Sequence, residues 1–148
     1  MATLDDVTAM VRQDHGLAVV STLRADSTIQ TSVVNAGVLP HPDTGRPVIG
    51  FVTYGRVKLA NLRRRPQLAV TFRHEWNWVA AEGRAELAGP DDRPAWLTDG
   101  DRLRLLLRDV FTAAGGQHDD WAEYDRVMAE QRRTAVLVEP GRVCGPRE

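Results

Sequence analysis

Short runs of β-branched and apolar residues recur along this chain, and turn residues separate them at close intervals. Side chains alternate between two faces within a run, so that Thr31 and Val33 face opposite to Ser32 and Val34. This pattern is typical of antiparallel strands and predicts a mainly β fold. The six predicted strands are residues 17–23, 28–39, 48–53, 67–73, 77–88 and 134–138.

Apolar residues at helical spacing predict further elements between and beside the strands. The four predicted helices are residues 5–14, 56–65, 101–114 and a last one from Asp119 or Asp120 to Gln131. Gly83 predicts a bulge in the fifth strand, and residues 141–148 are predicted to form a tail. At 148 residues the chain is the size of one domain. We therefore expect residues 1–148 to form one antiparallel barrel with peripheral helices.

Charge and cysteine content exclude several classes of function. The 19 basic and 20 acidic residues give a formal net charge of −1, which argues against binding nucleic acid or an anionic membrane surface. No apolar run approaches the roughly 20 residues of a membrane span, and Asp5 and Asp6 stand where a signal peptide would be basic. The single Cys144 excludes an internal disulfide framework and fits a reducing compartment. We expect a cytoplasmic protein.

Side chains that could carry chemistry unaided are scarce. The four histidines stand at positions 15, 41, 74 and 118, without the spacing of a metal pair, so no metal site is predicted. The chain also lacks a G-x-S-x-G elbow, a Walker loop and a G-x-G-x-x-G fingerprint. Covalent hydrolysis, nucleoside triphosphate hydrolysis and Rossmann-type cofactor binding are therefore excluded.

The clearest local signal is a pair of cations at the predicted start of the second helix. A strand ends at Gly55, and Arg56 and Lys58, the only lysine in the chain, stand in the first helical turn. The helix dipole disfavours cations there, whereas a bound phosphate would remove the conflict. The alternative is a solvated charged face that continues into residues 63–65, and spacing alone leaves both open.

Two tryptophans form a second candidate site. Trp76 and Trp78 are separated by one residue at a strand start, so both rings are expected on the same side of the sheet. They could stack on a planar ligand, or they could cap the barrel.

These motifs, in this order, resemble the flavin and deazaflavin split β-barrel proteins related to pyridoxamine-phosphate oxidase. The motifs that carry the resemblance are Val52-Thr53 with Arg56-x-Lys58, Asn61-Leu62-Arg63-Arg64-x-Pro66, and Trp76-x-Trp78-Val79-x-x-Glu82-Gly83. A later set resembles the actinobacterial branch that uses the deazaflavin F-420. This set consists of His118-x-x-Trp121-x-x-Tyr124, Arg132-Arg133 and Arg142-Val143-x-Gly145.

The resemblance implies a six-stranded antiparallel split β-barrel, mainly β with peripheral helices, that forms a homodimer with two sites at its interface. It implies an F-420-dependent oxidoreductase that passes hydride to a small-molecule acceptor holding an activated double bond or conjugated ring. Backbone of β-strand residues would contact the ring, Arg56 and Lys58 would hold the phosphate, and the two tryptophans, from the partner or a facing strand, would close the pocket. The implied cofactor-binding residues are Ser32, Val33, Val34, Asn35, Val52, Thr53, Arg56, Lys58, Trp76 and Trp78.

Two departures from the oxidases make vitamin B6 oxidation doubtful. Gln30 stands where they carry an arginine for the flavin phosphate, and residues 142–148 lack their Arg-Leu signature. The alternatives to an F-420 reductase are an FMN-binding relative and a non-catalytic protein that binds a cofactor or ligand. Surplus cations at Arg56, Lys58 and Arg63 favour the more anionic tail of F-420. The sequence predicts neither the substrate nor the proton donor.

Overall fold

The computed structural model describes residues 1–146, which contain six strands and four helices. The strands are β1 (Leu17–Leu23), β2 (Ile29–Pro40), β3 (Pro47–Thr53), β4 (Gln67–His74), β5 (Asn77–Ala88) and β6 (Thr134–Cys144). They are antiparallel neighbours in a closed barrel of order β1-β2-β3-β6-β5-β4. The helices are α1 (Leu4–Gln13), α2 (Arg56–Arg64), α3 (Gly100–Ala113) and α4 (Trp121–Glu130). The predicted six-stranded antiparallel barrel with peripheral helices is confirmed.

The sixth strand is longer than predicted. It continues to Cys144, so residues 141–144 belong to the strand and not to a tail, and residues 147–148 of the predicted tail lie outside the described residues. The pairing of β5 with β6 shifts register between Glu82 and Gly83, where a bulge was predicted, but the extra residue is Gly141 of β6. A Cβ at Gly83 would lie 2.2 Å from the carbonyl oxygen of Glu139. Only glycine allows the two strands to approach this closely.

The barrel interior forms the main core. Val20, Phe51 and Val70 are fully buried there, because alternate side chains of each strand point inward. Helix α1 adds Val7 and Met10 at one end of this interior. Helix α2 packs near the far end of β1, where Asn61 Nδ2 donates a hydrogen bond to Thr22 Oγ1 at 3.1 Å. The two helices therefore close opposite ends of the barrel.

Helices α3 and α4 cover only part of the barrel's outer surface. Val110 of α3 and Tyr124 of α4 pack with Leu39 and Leu137 in a second buried cluster. At Gly37 a Cβ would lie 2.2 Å from the carbonyl oxygen of Ala113, so α3 approaches β2 very closely there. None of the helices within residues 1–146 is both long and apolar enough to cross a membrane.

An apolar face of the barrel is left uncovered by these helices. Val33 of β2 pairs with Val19 of β1, which pairs with Thr71 of β4, and the two valines are 65% and 42% exposed. We call the exposed apolar side chains of β1 and β2 the outer apolar face: Leu17, Val19, Ile29 and Val33. Single exposed apolar residues are ordinary, whereas a contiguous set marks an interaction surface.

Candidate functional site

Lys58 is a buried ammonium without a counter-charge. The side chain is only 6% exposed, and its Nζ donates one long hydrogen bond, 3.3 Å, to Thr53 Oγ1. No carboxylate within residues 1–146 comes within 4.0 Å of this ammonium. Burial, and then repulsion by Arg133, lower the pKa of Lys58. An uncompensated buried charge is costly to the fold, so an anion bound here would be strongly stabilised.

Gly55 leaves space in front of this ammonium. A Cβ at Gly55 would lie 3.5 Å from Thr53 Oγ1 and 3.9 Å from Lys58 Nζ, so a side chain would occupy the approach to both groups. Gly55 is also the N-cap of α2, and it supplies no side-chain cap to the first-turn N–H groups. A phosphate fits this combination of open space, donors and positive charge. We call Thr53, Gly55 and Lys58 the anion site.

The charge distribution at helix starts sets α2 apart. Acidic side chains occupy the first turns of α1, α3 and α4, as the helix dipole favours. The first turn of α2 contains none, and Arg56 there is exposed, with no hydrogen bond or ion pair to other described residues. Arg56 is therefore able to turn toward an anion at the anion site.

Arg133 is a third cation near the anion site, and the resemblance assigns it no contact with the cofactor. Its guanidinium carbon lies 3.9 Å from the ring centroid of Tyr54, and its Nε donates to Gln131 Oε1 at 2.8 Å. Burial lowers the pKa of Arg133, although Tyr54 and Tyr124 oppose that shift. Arg133 reaches this position because the next residue, Thr134, pairs with Thr53 across β6 and β3.

Arg63 is not the surplus cation that the sequence suggested. Its Nε and one terminal nitrogen donate to the two carboxylate oxygens of Asp92, at 2.9 and 2.6 Å. This ion pair neutralises Arg63 and directs it away from a ligand. The sequence could not reveal the pairing, because Asp92 lies 29 positions further along the chain.

A cleft of about 810 Å³ is lined by residues of β2, β3, α3 and α4, but by none of Thr53, Gly55 and Lys58. Two residues assigned to the cofactor by resemblance, Asn35 and Val52, line it together with Arg133. Its remaining wall comes mainly from α3, α4 and the loop between them, and three of these residues are aromatic. The aromatic residues of this wall are Phe111, His118 and Tyr124.

The aromatic wall is fixed by hydrogen bonds. The Tyr124 hydroxyl donates to the carbonyl oxygen of Leu107 at 2.9 Å, and burial raises the pKa of Tyr124 to about 12. His118 Nδ1 accepts from the Asp120 N–H at 3.0 Å, so the neutral ring carries its proton on Nε2. The ring centroids of His118 and Tyr124 lie 5.7 Å apart. The wall is therefore a preformed surface for a planar ligand.

The four consecutive residues assigned to the cofactor on β2 do not share one environment. Val34 is buried inside the barrel, and Val33 belongs to the outer apolar face. Asn35 lies in the cleft, where its Nδ2 donates to the carbonyl oxygen of His15 at 2.9 Å. Ser32 Oγ is buried without a hydrogen-bond partner among the described residues. A contact of Val34 with the cofactor would thus use backbone atoms.

Trp76 and Trp78 lie elsewhere in the protomer. Both line a cavity of about 740 Å³ between α1 and the turn that joins β4 to β5, and no residue lines both this cavity and the cleft. Trp76 stands in that turn and is 98% exposed. Within one chain, the two tryptophans therefore do not close the cleft. Within residues 1–146, no group of three or more His, Cys, Asp and Glu side chains could hold a metal ion.

A closed six-stranded antiparallel barrel with peripheral helices is the fold of split-barrel flavin-binding proteins. Residues 4–143 match the family described as pyridoxamine 5'-phosphate oxidase, so the chain belongs to this family of oxidoreductases. The match begins at the first residue of α1 and ends one residue before the end of β6.

Solved structures with the same fold differ in what they are described to bind. A conserved hypothetical protein from Mycobacterium tuberculosis superposes with a TM-score of 0.68 at 17% identity, covering 98% of this chain and 84% of that one. An F-420 reductase superposes with a TM-score of 0.54 at 18% identity, covering 89% of this chain and 91% of that one. An FMN-binding, pyridoxamine 5'-phosphate oxidase-related protein from Nostoc punctiforme superposes with a TM-score of 0.60 at 14% identity, covering 98% of this chain and 86% of that one. At these identities the likeness supports the fold and leaves the cofactor open.

Proposed function

We propose that this protein is an F-420-dependent oxidoreductase that reduces an activated double bond or conjugated ring of a small molecule. The observation that carries the proposal is the buried Lys58, which has no counter-charge among the described residues and faces the open space at Gly55. A cleft lined by Asn35, Val52 and Arg133 supports it. When bound, the deazaflavin would supply hydride transfer, so the chain needs to supply only binding, orientation and exclusion of water.

The chain's own groups divide these tasks. Lys58 and Thr53 would hold the first phosphate, with Arg56 closing over it. Asn35 and Val52 would border the ring, and the aromatic wall would keep water from one side of it. The Tyr124 hydroxyl is committed to Leu107 and is a very weak acid. The proton that completes reduction would therefore come from water or from another group in the cleft.

A homodimer would complete the site. The outer apolar face is the surface that a second copy would cover, since two-fold association of identical faces is the commonest oligomeric arrangement. The exposed Trp76 and its neighbour Trp78 would then be free to close the cleft of the other subunit. This arrangement would account for two tryptophans that line no part of their own cleft.

FMN is the second candidate cofactor. Lys58, Thr53 and Gly55 form a site for one phosphate, and FMN carries one. A fold neighbour described as FMN-binding has the same architecture. A non-catalytic protein that binds a cofactor is the third candidate, and it differs from the first two only in turnover.

A turnover assay separates these candidates. Reduced F-420 is mixed with the protein and menadione, a quinone, under argon, and reoxidation is followed by the return of deazaflavin absorbance. We expect protein-dependent oxidation by menadione and slow oxidation by oxygen, with Lys58→Met as the inactive control. Binding of F-420 without turnover of menadione or of an enone would favour a storage or transport role, and turnover with FMN alone would favour the second candidate.

A further inference from the structure

We propose that Arg133, held on the face of Tyr54, is a second anion subsite that binds a negative group of the cofactor beyond its first phosphate. The inference rests on the proposed function for the identity of the ligand, but its geometric basis is independent of it. A carboxylate or a second phosphoryl group is the chemical class that fits a guanidinium of this kind.

Arg133 is distinguished by its lack of an acidic partner. Other arginines near α4 are paired: Arg108 with Asp125, Arg126 with Glu123 and Glu130, and Arg132 with Asp91. Arg133 is partly buried, and the hydrogen bond it donates within the described residues goes to the neutral Gln131. Within the described residues its charge is supported by neutral groups, chiefly the π face of Tyr54 and the amide oxygen of Gln131.

The position of Arg133 links the anion site to the cleft. Arg133 lines the cleft, whereas its stacking partner Tyr54 lies between Thr53 and Gly55 of the anion site. Arg133 repels the ammonium of Lys58 electrostatically, and within residues 1–146 no carboxylate lies within 4.0 Å of either cation. A phosphate held by Lys58 would leave Arg133 to bind a separate negative group of the same ligand.

This geometry makes Arg133 the residue that discriminates between the candidate cofactors. FMN ends in its phosphate, so Lys58 and Thr53 would satisfy it. F-420 continues past its phosphate into a tail that carries carboxylates. A carboxylate that reaches Arg133 would gain a charge-assisted hydrogen bond that FMN does not form.

The test compares two adjacent arginines in the full-length protein. Dissociation constants for F-420 and FMN are measured by fluorescence titration for wild type, Arg133→Gln and the matched control Arg132→Gln. Arg132 is exposed and paired with Asp91, so its replacement removes the same charge one residue away. We expect Arg133→Gln to weaken F-420 binding about tenfold and FMN binding less than about threefold, with Arg132→Gln affecting neither.

Further variants separate a binding role from a structural one. Arg133→Lys keeps the charge and should retain most of the affinity for F-420, whereas Tyr54→Leu removes the ring that holds the guanidinium and should give an intermediate loss. Circular dichroism checks that each variant is folded. Unchanged F-420 affinity in Arg133→Gln would overturn the proposal, and so would equal losses for both cofactors.

Titration with inorganic pyrophosphate and phosphate makes this test independent of the proposed function. If wild type bound neither cofactor but bound pyrophosphate through both Lys58 and Arg133, the subsite would stand and the proposed function would be wrong. If F-420 bound tightly and Arg133→Gln changed nothing, the proposed function would stand and the subsite would be wrong.

Discussion

At the scale of single residues, we expect the buried ammonium of Lys58 to destabilise the ligand-free protein, because no carboxylate within residues 1–146 compensates it. A methionine of similar length would fill the same space without burying a charge. Replacing a buried, uncompensated charge with an apolar side chain commonly stabilises a protein that does not need the charge for folding. Retention of a lysine at a position 6% exposed is therefore best explained by binding.

We predict that Lys58→Met raises the free energy of unfolding of the ligand-free protein by about 1 kcal/mol and weakens F-420 binding at least about tenfold. Thermal or urea unfolding measures the first effect, and fluorescence titration measures the second. Lys58→Arg serves as the charge-conserving control. A less stable protein with unchanged affinity would show that Lys58 is structural.

At the scale of elements, the cleft depends on how α3 and α4 are held together. Two arginines of α3 converge on the carboxylate of Asp125 in α4. Arg108 donates to both carboxylate oxygens, from Nε at 2.9 Å and from one terminal nitrogen, and a terminal nitrogen of Arg104 lies 3.5 Å from the carboxylate. Arg108 lowers the pKa of Asp125, chiefly by hydrogen bonding to its carboxylate. The ionised carboxylate therefore stabilises the aromatic wall of the cleft.

This ion pair predicts an acid-dependent loss of stability. The folded protein holds the pKa of Asp125 below its usual value, so the stabilising effect is complete above that usual value and is lost as pH falls through the lowered one. We expect Asp125→Asn to lower the melting temperature at pH 7, with the difference from wild type shrinking in acid. Parallel melting curves between pH 7 and pH 3 measure this, and a constant difference would contradict it.

The elements also show what the sequence could predict. Period-two runs defined β1 to β5 within one or two residues, because local alternation reflects which face is buried. The second half of β6 was missed, since Pro140 and Gly141 are typical of a loop. They are accommodated in the strand because Gly141 is the extra residue of a bulge in β6, opposite Glu82 and Gly83 of β5. That pairing joins distant parts of the chain.

In the candidate site, as in the strands, local motifs could be predicted and contacts between distant residues could not. Arg56 and Lys58 stand beside Gly55 in a local motif, so they could be assigned from the sequence. Arg133 could not be placed beside Tyr54, because their contact follows from the pairing of β6 with β3. The ion pair between Arg63 and Asp92 could not be predicted either, because the two residues are 29 positions apart.

At the scale of the whole molecule, the outer apolar face implies association. Val19 and Val33 are cross-strand partners at its centre, and both are substantially exposed in the single chain. A stable interface buries about 800 Å² on each partner, which a broad sheet face can supply. Dimerisation would remove these side chains from water.

We predict that Val33→Asp converts a dimer into a monomer, because it places a charge at the centre of the buried face. Leu105→Asp is the matched control, since Leu105 is 47% exposed on α3, away from that face. Sedimentation velocity at micromolar concentration measures both variants. A wild-type monomer, or a Val33→Asp dimer, would exclude this face as the interface.

We expect this family member to bind a deazaflavin more tightly than a flavin. Equilibrium titration of the wild-type protein with F-420 and with FMN, at matched pH and salt, tests it most directly. One additional charge-assisted contact predicts that F-420 binds at least about tenfold more tightly than FMN. Equal affinities, or tighter binding of FMN, would contradict the claim.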